Sequence, residues 1–168
     1  NLVKTRGYHN AWVILLDESR RAVMTFEYGL DKNFLPTVKR LRRGELTKCG
    51  QRALSRLEVV VVKDPFSTCK DCPLADKCHA REMMTIRLEY GGKIYGLLSI
   101  SLPASFTEEK EEQSLFKEAA NDISFALHSI ELEEERKQKE KEIQKLNQFR
   151  KIVIDNANIW LDVLDKKL

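Results

Sequence analysis

Four cysteines carry most of the reactive chemistry in this sequence: Cys49, Cys69, Cys72 and Cys78. Three of them fall within ten positions, in Cys69-Lys70-Asp71-Cys72-Pro73-Leu74-Ala75-Asp76-Lys77-Cys78-His79. A Cys-x2-Cys step puts two sulfurs on one tight turn, a spacing that suits tetrahedral metal and cluster sites. Cys69 and Cys72 with Cys78 and His79 are therefore candidate ligands for Zn2+ or an iron–sulfur cluster. Cys49 could join them if the basic segment before the loop folds over it. The same residues could instead form a redox-switching thiol pair. Such chemistry needs a thiolate near a positive group, and Lys70 and Lys77 stand beside the thiols. A third reading is packing alone, because a free cysteine is a small and readily buried apolar residue. The first residues show no basic–apolar–small leader pattern. A cytoplasmic, reducing setting is therefore expected, where permanent disulfides are disfavoured.

The elements that must position these residues can be traced from periodicity. Ala11–Leu16 and Ala22–Tyr28 are apolar runs separated by the turn residues Asp17-Glu18-Ser19-Arg20, which reads as two antiparallel strands. Phe34–Leu57 is basic and partly helical, with interruptions expected at Gly44 and Gly50. Glu58–Val62 reads as a strand stopped by Asp64-Pro65. Met83–Tyr90 and Ile94–Ile100 flank Gly91-Gly92-Lys93 and make the clearest hairpin, with the glycines supplying positive φ. Thr107 or Ser105 could cap a long helix, whose first turn gains from Glu108, Glu109, Glu111 and Glu112. Phe116, Ala119, Ile123, Leu127 and Ile130 recur at helical spacing along it. Strands in hairpins with helices gathered on one face define an α+β fold. Trp12, Tyr28 and Phe66, with the four cysteines, are the candidates to line a ligand pocket. No catalytic residue is assigned.

Charge separates the chain into parts. Of its 168 residues 29 are Lys or Arg and 26 Asp or Glu, a net charge of +3, too weak to imply a nucleic-acid partner. Residues 131–142 contain a single apolar residue, Leu132. A segment so charged cannot bury a face, yet its residues are strong helix formers. Glu133–Lys137 and Glu135–Lys139 are favourable i,i+4 pairs. An exposed helical rod is expected there, and Ile143, Leu146 and Phe149 resume an apolar stripe that could pair with a second copy. The basic residues Lys39, Arg40, Arg42, Arg43, Lys48, Arg52 and Arg56 could draw an anionic ligand or a membrane surface, although a solvated helix face is the commoner outcome.

In this order, several short motifs resemble a GAF domain from about Arg6 to Ile130. They are Arg6-Gly7-Tyr8, Gly44-Glu45-Leu46, Asp64-Pro65, Gly92-Lys93-Ile94-Tyr95-Gly96-Leu97-Leu98 and Phe106-Thr107-Glu108-Glu109. The resemblance implies a central antiparallel sheet with helices on one face and a long C-terminal helix. Residues 147–168 look like the opening of a PAS domain, cut after its first strand. The layout implied is a GAF sensor domain (1–130), a charged signalling helix (131–146) and the start of a PAS domain (147–168). Such a layout is similar to that of prokaryotic sensor histidine kinases. It implies a small-ligand or redox input module that relays its state through a helix, pairs as a homodimer and precedes PAS and kinase domains. The fragment itself is then non-catalytic. The alternative is a thiol enzyme resembling free methionine sulfoxide reductases. A bilin on Cys78-His79 is disfavoured by the 18 positions from Cys78 to Gly96. Cyclic nucleotides lack their Asn-Lys element, and His128 lacks the acid and proline of a phospho-acceptor site.

Overall fold

The computed structural model describes residues 7–69, 71–75, 81–103 and 106–165, with side chains as far as Ile154. Its centre is a five-stranded antiparallel sheet in the order β2-β1-β5-β4-β3. The strands are β1 (Asn10–Leu16), β2 (Ala22–Tyr28), β3 (Val60–Val62), β4 (Arg81–Tyr90) and β5 (Lys93–Pro103). β4 and β5 form the expected hairpin, paired from Tyr90↔Lys93 to Arg81↔Pro103 with one register shift between Leu88 and Glu89. Its two-residue turn is Gly91-Gly92, with φ of 60° and 83°. Both angles suit the turn type whose twist matches the flanking strands, and both disfavour a side chain.

The helices are α1 (Leu35–Arg42), entered through the 3-10 turn Asp31–Phe34, then α2 (Lys48–Leu54), α3 (Pro65–Thr68) and α4 (Lys110–Asp165). Gly44 separates α1 from α2 as expected, with φ of 81°. Gly50 does not interrupt a helix. It lies inside α2, where a Cβ would come within 3.0 Å of Leu97 Cδ1 on β5 and 3.1 Å of Thr47 Oγ1. Close approach of helix to sheet, rather than a break, explains that glycine.

Alternation along the strands divides the core in two. Trp12, Ile14, Val60, Val62, Met83 and Leu97 point to one face and pack with buried residues of α1, α2 and the cysteine loop. Met84, Ile86, Leu88, Leu98, Ile100 and Leu102 point to the other, where Phe116 and Ala120 of α4 cover them. Short helices thus gather on one face and the long helix lies on the other. The Tyr8 hydroxyl donates to buried Glu112 of α4 and ties the approach to β1 to that helix.

α4 opens at Lys110, not directly after Thr107. Its buried line is Glu112, Phe116, Ala120 and Ser124, flanked by half-buried Ile123 and Leu127. Ala119 is only half-buried and Ile130 is 57% exposed. Ser124 is accepted in this line because its hydroxyl donates to the Ala120 carbonyl at 2.7 Å. Truncating Phe116, which is 2% exposed, leaves a cavity between α4 and the sheet. Phe116→Ala is expected to cost about 3–5 kcal/mol in urea unfolding. A loss under about 1 kcal/mol would show that α4 is not docked there.

Compactness divides the chain after Leu127, into Asn1–Leu127 and His128–Leu168. Within the second unit, described residues 132–154 are all exposed. Arg136 pairs with Glu133 at 3.1 Å and Glu140 at 2.8 Å, and Lys137 with Glu133 at 3.4 Å. Among the described residues Glu135 and Lys139 form no ion pair. The strand expected late in 147–168 is absent from the described residues, which stay helical to Asp165. A strand needs a neighbour for its backbone groups, whereas a helix satisfies them internally. Among the described residues no helix is long and apolar enough to cross a membrane.

Candidate functional site

Cys49 is the first-turn residue of α2, and Cys69 closes α3. The two are twenty positions apart in sequence. The fold brings them together on the short-helix face, with exposures of 5% and 6%. Cys72 is half-buried beside them, its N–H donating to the Cys69 carbonyl at 2.8 Å. None of the three is in a disulfide, and all line one apolar cavity with Trp12, Leu74 and Met83. That cavity holds about 10 Å³, at the lower limit for one water. An adjoining cleft of about 240 Å³ is lined by Arg40, Thr47, Lys48, Gln51, Cys69 and Cys72, among others.

Why these residues meet follows from local chemistry. Asp64 caps α3 by accepting from Ser67 N–H at 3.1 Å, and Pro65 suits the first helical position. Thr47 caps α2: its hydroxyl oxygen accepts from Gly50 N–H at 3.3 Å. The same hydroxyl lies 3.2 Å from the Cys49 sulfur. One side chain can therefore accept from the backbone and donate to the thiolate. Arg40 closes the arrangement from α1, with Nε on Glu45 at 3.2 Å and a guanidinium N–H donated to the Asp71 carbonyl.

The electrostatics separate the thiols. A hydrogen bond from the Cys69 thiol is the largest influence on Cys49, and Thr47, Thr85 and the Gly50 N–H add to it. Together they outweigh burial and hold the Cys49 thiol at about 6, against an ordinary 9.0. Burial dominates at Cys72 and pushes its thiol up, although Arg40 opposes this. Cys49 is thus the residue most able to be a thiolate near neutral pH.

The remaining site expectations divide. Trp12 lines the cavity and is 2% exposed. Tyr28 does not line it. It pairs with Ala11, whose side chain joins the opposite core, so alternation places Tyr28 on the α4 face. Phe66 is 47% exposed on α3 and lines neither cavity. Cys78 and His79 lie outside the described residues. Among the described residues no three His, Cys, Asp or Glu side chains are placed to hold a metal ion. The basic residues Lys39, Arg42, Arg43, Arg52 and Arg56 are exposed, while Arg40 and Lys48 line the cleft.

Sequence reasoning missed a polar layer on this face. Thr85 and Ser99 hydroxyls meet at 2.9 Å, and Ser99 also donates to the Met84 carbonyl at 3.2 Å. Trp12 Nε1, Thr37 Oγ1 and Ser101 Oγ are buried without a hydrogen-bond partner. Hydroxyl residues alternating with Leu97 along the middle strand were the available signal.

An antiparallel sheet with an α1–α2 insert and a cysteine loop on one face, and a long helix on the other, is a GAF-like architecture. The family model for the GAF domain matches residues 2–127, and the chain belongs to that family. No curated protein matches the chain. Among solved structures it is similar to the GAF domain/HD domain protein from Geobacter sulfurreducens, with TM-score 0.61 and 15% identity, over 78% of this chain and 87% of that one. The GAF domain of an Acinetobacter phosphoenolpyruvate-protein phosphotransferase gives 0.58 at 16% identity, over 78% of each chain. A domain described as part of a two-component sensor histidine kinase protein from Sinorhizobium meliloti 1021 gives 0.58 at 14%, over 82% of this chain and 90% of that one.

Proposed function

We propose that this chain is a regulatory sensing domain that takes up a small anionic molecule on its cysteine face. The observation that carries the reading is the cleft of about 240 Å³ lined by Arg40, Thr47, Lys48 and Gln51 beside Cys69 and Cys72. Trp12 Nε1, at the adjoining cavity, is buried without a hydrogen-bond partner, and such a group costs about 1–3 kcal/mol, which favours a guest that accepts a hydrogen bond. Arg40 and Lys48 in the adjoining cleft favour a negative charge. Titration calorimetry of the full chain against a panel of small carboxylates tests this. At least one is expected to bind, and Arg40→Ala is expected to weaken it by about tenfold or more. No heat and no change in melting temperature across the panel would remove the reading.

Relay to α4 is supported by the strands themselves. β4 and β5 carry Thr85, Leu97 and Ser99 on the cysteine face and Ile86, Leu98 and Ile100 under α4. A shift of either strand is felt on both faces, and a ligand biases that shift by its differential affinity. In this reading the parent is a sensor of the histidine-kinase type with a PAS domain downstream. Exposed Leu132, Ile143, Leu146 and Phe149 support pairing of α4 with a second copy. Sedimentation is expected to show a dimer that becomes monomeric when residues 131–150 are removed, and identical behaviour of both would count against it. The thiolate character of Cys49 favours a second reading, a thiol enzyme reducing free methionine sulfoxide, which predicts turnover with a dithiol.

A further inference from the structure

We infer that Cys49 and Cys69 are a dithiol that a small hydroperoxide oxidises to a disulfide bridging α2 to the end of α3. The inference rests on the sensing reading for its regulatory meaning and adds a second input to the same face. Spacing in the sequence points instead to Cys69 and Cys72, and the geometry reassigns the pair. Cys49 and Cys69 line one small cavity and belong to one buried cluster, and a hydrogen bond from the Cys69 thiol is the largest influence lowering the Cys49 thiol. Both residues are buried in one apolar cavity, where Thr47 holds the Cys49 sulfur at 3.2 Å. Cys72 is the more exposed member and shares the cleft with Arg40 and Gln51. Cys69 lines both the cleft and the cavity, which gives a molecule of hydrogen-peroxide size a path between them.

The chemistry balances without a further reactant. The Cys49 thiolate attacks one peroxide oxygen; an S–O bond forms, the O–O bond breaks, and an alkoxide leaves. That alkoxide takes the proton of Cys69 and departs as the alcohol, or as water from hydrogen peroxide. The Cys69 thiolate then attacks the Cys49 sulfenic acid and expels hydroxide. Two electrons pass from the two sulfurs to the peroxide bond. The product joins two elements that Thr47 and Asp64 now position separately, and it seals the apolar cavity beside Trp12.

The four cysteines fall on four tryptic peptides, residues 49–52, 64–70, 71–77 and 78–81, so the pairing can be read directly. The reduced full chain is treated with one equivalent of hydrogen peroxide, alkylated, digested without reductant and mapped by mass spectrometry. A 49–52/64–70 linked peptide that dithiothreitol removes is expected, and Cys72→Ser should retain it. In Cys69→Ser the Cys49 sulfenic acid should persist and be trapped by dimedone. A dominant link from Cys72 to Cys69 or Cys78 would overturn the assignment, as would no link at all. Absence of dimedone adduct at Cys49 in Cys69→Ser would overturn it as well. Carboxylate titrations of the same samples keep the two proposals apart. Binding without the disulfide defeats only this inference, and the disulfide without binding defeats only the ligand reading.

Discussion

Gly96→Ala is expected to abolish the folded state. Gly96 sits in β5, opposite Leu15 of β1 and Leu88 of β4. A Cβ at this position would overlap the Ile14 carbonyl and approach Leu15 Cα to 3.0 Å. The obstacle is backbone of the neighbouring central strand, so no side-chain rotation relieves it. The β1–β5 ladder must open, or β5 must shift. A shift of one residue would turn Leu97, Ile100 and Leu102, all fully buried, to the wrong faces. Overpacking alone costs about 1–3 kcal/mol, and broken ladder bonds add to it. With stability of about 5–15 kcal/mol for an ordinary domain, insoluble expression or loss of a cooperative melting transition is expected. Gly91→Ala, at a turn position with open space around its Cβ, is the matched control and should cost about 1 kcal/mol from its positive φ. Equal melting temperatures for Gly96→Ala and the parent would refute the packing described for β5.

Cys49 is expected to be alkylated with a rate that is half-maximal near pH 6, far below an ordinary thiol. The largest contribution is the hydrogen bond from Cys69, so Cys69→Ala should move the midpoint upward. Because burial then acts with less opposition, a rise of at least about one pH unit is expected. The stability consequence has a definite sign. A thiol held at about 6 when folded and near 9.0 when unfolded stabilises the folded state fully above pH 9. That contribution falls as pH drops and is gone below about pH 6. Urea midpoints of the parent should therefore rise relative to Cys49→Ser between pH 6 and 9. Mass-spectrometric rates for peptide 49–52 decide the matter, and a midpoint near pH 9 in the parent would refute the thiolate.

Most of the fold was legible because its signals are local. The hairpin from β4 to β5 has strict alternation and a Gly-Gly turn. The exposed character of residues 132–142 follows from charge alone. Long-range placement was not legible. Which aromatics face the cysteines depends on sheet register, so Trp12 turned inward while Tyr28 went to the α4 face. Gly50 looked like a helix breaker because its constraint comes from Leu97, forty-seven positions away. The Cys-x2-Cys step drew attention to Cys69 and Cys72, since spacing shows only neighbours in sequence. The juxtaposition that matters chemically, Cys49 and Cys69 in one cavity, is made by the packing of α2 and α3 on one sheet. The late strand in 147–168 was implied by the resemblance to a PAS opening, and the described residues there are helical to Asp165.

The closeness of Gly50 to Leu97 has a mechanical consequence. α2 rests on β5 with no spare room, so space for a guest cannot be made by pressing Cys49 and its helix closer to the sheet. The opposite wall of the cleft carries Cys69 and Cys72 and is tied to α1 through Arg40 and the Asp71 carbonyl. Widening on that side would have to release Arg40 first.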